Sequence, residues 1–123
     1  MKRILIVEDE KIIAFDLQIR IKKFGYKAPY VVSTGEEAIT RTRAMKPDLI
    51  LMDIMLAGDI TGIEAVIQLR KEHIDVPVIY ITAYTDKTTK EQAESTFPQA
   101  FLMKPVMHEL LQDEIKKAFS KTG

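Results

Sequence analysis

Leu49-Ile50-Leu51-Met52-Asp53 is an unbroken apolar run that stops at a carboxylate, and its reading decides the fold. A strand with one face in water alternates apolar and polar residues, whereas a run without alternation fits a strand buried on both faces of a parallel sheet. Ile4-Leu5-Ile6-Val7 has the same character and stops at Glu8-Asp9-Glu10. Outward from these two runs the chain alternates between strand and helix signals. Ile13, Leu17, Ile21 and Phe24 recur at helical spacing, and Gly25 stands where helices commonly end. A second strand is expected over Lys27–Ser33 and a helix over Glu36–Met45, after Thr34-Gly35. Beyond Asp53 the pattern predicts a helix over Ile63–His73, a strand over Val76–Ile81 and a polar helix over Asp86–Ser95. A strand over Ala100–Met103 and a helix over Val106–Phe119 complete it.

Strands alternating with helices at short spacing imply right-handed crossovers and a parallel sheet covered on both faces. The expected fold is α/β: one open, doubly wound, five-stranded parallel sheet, which suits this length far better than a barrel. At 123 residues, 46% hydrophobic and 29% charged, residues 1–123 are expected to form one domain, with no output domain expected after the last helix. Basic and acidic residues balance at 18 each, so no net field draws the chain to nucleic acid or an anionic membrane. The absence of cysteine removes disulfide scaffolds, thiol catalysis and thiolate metal sites. No apolar run approaches the ~20 residues of a membrane span, and Met1-Lys2-Arg3 leads into too short an apolar stretch for a signal peptide. The expectation is a cytoplasmic protein that binds neither membrane nor nucleic acid directly.

In open α/β sheets ligands bind outside the carboxyl ends of the strands. Four expected strands end in charged or reactive residues: Glu8-Asp9, Asp53, Thr82 and Lys104. Each alone also fits a bland role, since an aspartate after a strand often caps the next helix. Together they imply more. Carboxylates crowded at one edge repel, and without a cation at least one is pushed toward its protonated form. Asp9, Asp53, a backbone carbonyl and water offer only oxygen ligands, which suits Mg²⁺ better than zinc.

The stretches Ile4–Glu10, Leu49–Leu56, Tyr80-Ile81-Thr82-Ala83 and Phe101-Leu102-Met103-Lys104-Pro105 resemble, in order, the four signatures of response-regulator receiver domains. The resemblance covers essentially the whole chain and implies the strand order 2-1-3-4-5 of a flavodoxin-like sheet. It implies that Asp53 accepts a phosphoryl group from a phosphohistidine on a sensor histidine kinase or histidine phosphotransfer protein. It further implies that Asp9 ligates Mg²⁺ directly, Glu8 acts mainly through bound water, and Met55 contributes its backbone carbonyl. Lys104 would pair with the phosphoryl oxygens, and Pro105 would carry the family's cis peptide. Thr82 would sense the phosphoryl group and Phe101 follow it, although Phe101 also fits an ordinary core position. Ala83 would leave access for a phosphodonor, and Met55 and Tyr84 would flank the site. The implied role is a signalling switch, not a multiple-turnover enzyme, that acts on a downstream protein or fused output domain through the face of helix four, strand five and helix five. Homodimerisation is compatible with it.

Two surfaces stand out. Helix four carries one clearly apolar residue, Ala93, so it is either a mobile output element or simply a solvated helix. On helix one, Ile12, Phe15 and Ile19 form a second stripe away from the core stripe, either a docking strip for the kinase or residues tucked beneath a neighbour. His73 and His108 lack ligand-like spacing and read as surface residues, and Asp59 in its Gly/Asp context as a turn residue. The loop Ile54–Gly62 departs from the usual pattern at Ala57 and Thr61 and is one residue longer than the commonest form. Two rivals fit worse. An aspartyl phosphohydrolase would carry an Asp-x-Asp pair where this chain has Glu8-Asp9-Glu10, and a flavin carrier would need a Ser/Thr/Gly-rich phosphate loop there.

Overall fold

The computed structural model describes residues 1–83 and 86–120. In chain order the elements are β1 (Ile4–Val7), α1 (Lys11–Lys23), β2 (Val31–Val32), α2 (Gly35–Met45), β3 (Leu49–Asp53), α3 (Gly62–Lys71), β4 (Val78–Thr82), α4 (Lys87–Glu94), β5 (Ala100–Met103) and α5 (His108–Ser120). The strands form one sheet of order β2-β1-β3-β4-β5, with every neighbouring pair parallel. This is the expected doubly wound, flavodoxin-like arrangement.

The unalternating runs are explained by two helical layers. Leu5, Val7, Ile50, Met52, Val78 and Tyr80 point into one core with Ala38 and Met45 of α2, Ala65, Val66 and Leu69 of α3, and Ala93 of α4. Their neighbours Ile4, Ile6, Leu49, Leu51, Ile79 and Ile81 point the other way, onto Leu17 and Ile21 of α1 and Leu111, Ile115 and Ala118 of α5. No face of the central strands meets water, so no polar residue is needed until a strand emerges at its carboxyl end.

The element bounds need correction. The strand expected over Lys27–Ser33 reduces to Val31–Val32, preceded by an isolated bridge between Arg3 and Lys27. Pro29 lies between the two pairings and has no N–H to donate to a ladder, which confines it to an edge and divides this one. The fourth strand starts at Val78, just after Pro77, and includes Thr82. The third helix stops at Lys71, and His73 beyond it adopts a left-handed φ of 61°. The fifth starts at His108, leaving Val106 and Met107 as a connection.

Helix starts hold the strand ends in place. The Thr34 side chain accepts the Glu37 N–H, and Thr61 forms a reciprocal capping box with Glu64. The longer loop after Asp53 is tied down as well. Ala57 bridges to Thr34, Gly58 takes φ 93°, and the Asp59 N–H donates to Glu36 at 3.3 Å. Asp59 is exposed in this turn, as expected.

The fourth helix buries only Ala93. Its far end is tied to the sheet by Thr96, whose hydroxyl donates to the Ala93 carbonyl at 2.6 Å and accepts from the Tyr80 hydroxyl at 2.8 Å. Burial outweighs that hydrogen bond and pushes the Tyr80 phenol up to about 12.

Gly62 is the tightest backbone approach near the end of β3. A Cβ there would lie 2.1 Å from the Asp53 carbonyl oxygen and 2.8 Å from Met52 Cγ. Gly62→Ala is therefore expected to destabilise the fold by about 1–3 kcal/mol or more, the range for forcing atoms into a filled site. Urea denaturation measures this, and an unchanged midpoint would contradict the packing described.

Candidate functional site

The site is built at the carboxyl edge of β1, β3 and β5. Ile4 to Val7 pair with Leu49 to Met52 in register, so Glu8-Asp9 and Asp53 emerge together. On the other side of β3, Asp53 pairs with Ile81, and Thr82 pairs with Met103. The Lys104 N–H donates to the Thr82 carbonyl at 2.8 Å, the last backbone pairing of this edge with the sheet. Lys104–Pro105 is a cis peptide, as expected.

Lys104 Nζ lies 2.6 Å from Glu8 Oε1 and 2.9 Å from Asp53 Oδ2, donating to both. Glu8 is 3% exposed and Asp53 5%, so this is a nearly dry cluster. The Glu10 N–H donates to Glu8 Oε2 at 3.2 Å, and the Met55 N–H to Asp53 Oδ1 at 3.3 Å. Burial holds the Glu8 carboxyl above its ordinary value, helped by the adjacent Asp53 carboxyl and opposed by Lys104. Burial by itself would lower Lys104, but hydrogen bonds to Glu8 and Asp53, with their negative charge, outweigh it and raise the ammonium. The lysine is thus a firm cation between carboxylates, one of which is short of neutralisation.

Glu8, Asp9 and Asp53 each bring a carboxylate oxygen to within 4.8 Å of the others. Three hard oxygen donors with one lysine among them leave net negative charge at one point. That donor set fits a small divalent cation of the Mg²⁺ class and offers no sulfur or imidazole for a softer metal.

Around this cluster, Thr82 is buried at the end of β4 and Ala83 next to it is exposed. Tyr84 lies outside the described residues. Phe101 is partly buried against the core, its ring centroid 6.3 Å from that of Tyr80. The Met55 side chain is 61% exposed beside Asp53.

The second stripe of α1 is open: Ile12 is 86%, Phe15 64% and Ile19 38% exposed, which removes the reading in which they tuck beneath a neighbour. Of the expected core stripe, Leu17 and Ile21 are buried and Ile13 and Phe24 only partly so, while Ala14 is buried in addition. A cleft of ≈ 580 Å³ runs between α1 and the segment Lys104-Pro105-Val106. His73 and His108 are exposed, the latter tilted at 59° against Phe24 with ring centroids 4.8 Å apart.

Sequence reasoning missed Gly62, whose lack of a side chain lets α3 start against the Asp53 carbonyl. It also missed Arg20, which bonds the Val106 carbonyl at 2.7 Å. A glycine directly after a capping threonine was a usable signal for the first. Nothing in the local sequence marks the second.

The response regulator receiver domain model matches residues 4–116. The chain is 31% identical over 120 residues to the transcriptional regulatory protein PdtaR of Mycobacterium tuberculosis, covering 98% of this chain and 58% of that protein. It is 35% identical over 104 residues to the alkaline phosphatase synthesis transcriptional regulatory protein PhoP of Bacillus subtilis, covering 85% of this chain and 42% of that one. The chain thus spans roughly half the length of these curated relatives. Among solved structures, the signal receiver domain of a modulated diguanylate cyclase from Desulfovibrio desulfuricans superposes with a TM-score of 0.90 at 35% identity, covering 98% of this chain and 95% of that one. A CheY-like receiver domain protein from Methanospirillum hungatei gives a TM-score of 0.91 at 26% identity over the same shares. With the fold, the acidic edge and these likenesses in agreement, the chain belongs to the response regulator receiver domains of two-component systems.

Proposed function

We propose that this chain is a phosphorylation-controlled signalling switch whose phosphoacceptor is Asp53. The observation that carries the reading is Lys104 Nζ reaching both Glu8 and Asp53, with Asp9 alongside. An oxygen of Asp53 forms the new P–O bond as the P–N bond to a donor imidazole breaks, the donor being a sensor histidine kinase or a histidine phosphotransfer protein. Such a transfer asks the protein mainly to position groups and neutralise charge. Lys104 holds an ammonium where the phosphoryl oxygens arrive. Asp9, Asp53 and the Met55 carbonyl would hold Mg²⁺, with Glu8 acting through water, and the metal would supply the remaining positive charge. The chain is not a multiple-turnover enzyme in this reading; it promotes its own phosphorylation and dephosphorylation.

The product changes the surroundings. A phosphoryl group adds roughly −1.5 to −2 charge with strong acceptor oxygens, and Thr82 turns its hydroxyl toward one of them. Phe101 follows into the space released. A few charge-assisted hydrogen bonds at ~1.5–3 kcal/mol each are comparable with the ~5.5 kcal/mol that moves an equilibrium from 1:99 to 99:1. The face of α4, β5 and α5 then contacts a downstream protein, a fused output domain or a second copy. Residues 1–123 act as one receiver module in the cytoplasm, with no direct contact to nucleic acid or membrane.

Intact-mass measurement after incubation with acetyl phosphate and Mg²⁺ tests the centre of this reading. Wild type should gain one phosphate, and Asp53→Asn or wild type in excess chelator should gain none. Equal labelling of Asp53→Asn would place the acceptor elsewhere.

The open stripe of Ile12, Phe15 and Ile19 beside the acidic edge supports its use as the docking strip for the phosphodonor protein. Phe15→Ser should slow transfer from the cognate kinase about tenfold or more, the loss expected from an aromatic anchor, while leaving the acetyl phosphate rate unchanged. Equal slowing with both donors would exclude docking.

The thin burial of α4 supports its role as the moving part of the output face. Hydrogen exchange should therefore change in residues 87–94 when beryllofluoride is bound as a phosphoryl mimic. Identical protection in the two states would make α4 a passive solvated helix.

A further inference from the structure

We propose that Arg20 is a positioning residue for phosphoryl transfer: its guanidinium pins the Val106 carbonyl to α1 and so holds the segment from which Lys104 reaches Asp53. The inference rests on the reading of Asp53 as phosphoacceptor and Lys104 as its cationic partner.

The need for an anchor follows from the chain after β5. The last pairing with the sheet is the Lys104 N–H on the Thr82 carbonyl at 2.8 Å. Pro105 has no N–H to offer, and α5 begins only at His108. Between these points the segment is bound by Arg20 Nη1, which donates to the Val106 carbonyl at 2.7 Å across 86 positions of sequence. Val106 itself packs against the core that α1 shares with α5. The bond therefore joins α1 to the one segment that follows the lysine.

Arg20 is itself aimed. Its Nε lies 3.0 Å from Asp16 Oδ2, one helical turn earlier. A guanidinium is a rigid planar fork, so fixing Nε on Asp16 sets the direction in which Nη1 points. A lysine in that place would have a mobile single nitrogen. The Arg20 side chain is 26% exposed, so its bond to Val106 is partly shielded from water and is stronger than a surface contact.

Lys104 benefits because its own side chain is long. Four rotatable carbons must be ordered to put Nζ within 2.9 Å of Asp53 and 2.6 Å of Glu8 at once. A backbone free to drift by an ångström would spread that nitrogen over positions that miss the incoming phosphoryl oxygens. Small misplacements of this kind, caused far from the reacting atoms, are costly in rate.

The test is a double-mutant cycle on the rate of phosphorylation by acetyl phosphate, read by intact mass, with folding checked by thermal melting. Arg20→Ala should react about ten- to a hundredfold more slowly than wild type, the upper figure being the cost of an ångström's misplacement. In a Lys104→Ala background the same change should cause no further slowing, because there is no lysine left to position. Arg20→Lys should recover part of the rate. Should Arg20→Ala fail to fold, Asp16→Asn keeps the guanidinium charge but loosens its aim, and the same non-additivity with Lys104→Ala is expected. A wild-type rate in a folded Arg20 variant, or equal slowing with and without Lys104, would overturn the proposal while leaving Asp53 in place. A wild-type protein that takes no phosphate on Asp53 would instead remove the underlying reading and this inference with it.

Discussion

The structure depends on one ammonium set between two nearly dry carboxylates. Lys104 Nζ meets Glu8 at 2.6 Å and Asp53 at 2.9 Å, and these residues come from the ends of three different strands. Burying one carboxylate without a partner would be costly, and burying Glu8 and Asp53 side by side, with Asp9 next to them, more so. The lysine offsets part of that cost and leaves the cluster negative. The proposed function uses that unfinished neutralisation: in it the edge takes up a cation, and the cation and the lysine together receive a phosphoryl group.

The rest of the fold can be understood as the means of bringing these ends together. Strands covered on both faces by helices have nowhere to place a charge except at their ends. The parallel register of β1 with β3 and of β3 with β4 delivers Glu8, Asp9, Asp53 and Thr82 to one rim. Gly62 lets α3 begin against the Asp53 carbonyl, and capping by Thr61 fixes where that helix starts. Lys104 comes from beyond the edge strand β5, through a segment with few backbone bonds of its own. Its placement accordingly draws on α1, an element from the other end of the chain.

This division also explains what could be read from residues alone. The unalternating runs Ile4–Val7 and Leu49–Asp53 announce strands buried on both sides, and the acids and the lysine at strand ends follow from sheet topology. The central strands and the acidic site were legible for that reason. The second strand was not, because Val31 and Val32 look like the middle of a longer β run until Pro29 is recognised as a break in the ladder. The exposure of Ile12 and Phe15 was a choice between two packings that only tertiary structure decides. Arg20 was invisible because a surface-type arginine on a helix carries no local sign of a carbonyl 86 positions away. Gly62 was half visible: its place after a capping threonine suggests a helix start, but not the contact with Asp53.

The central claim is that Glu8, Asp9 and Asp53 together hold a hard divalent cation at this rim. Calorimetric titration with Mg²⁺ tests it without any phosphodonor. The account predicts binding of one ion per chain to the wild type and its loss in Asp9→Asn with the fold intact. Absence of binding to the wild type, or undiminished binding to Asp9→Asn, would contradict it.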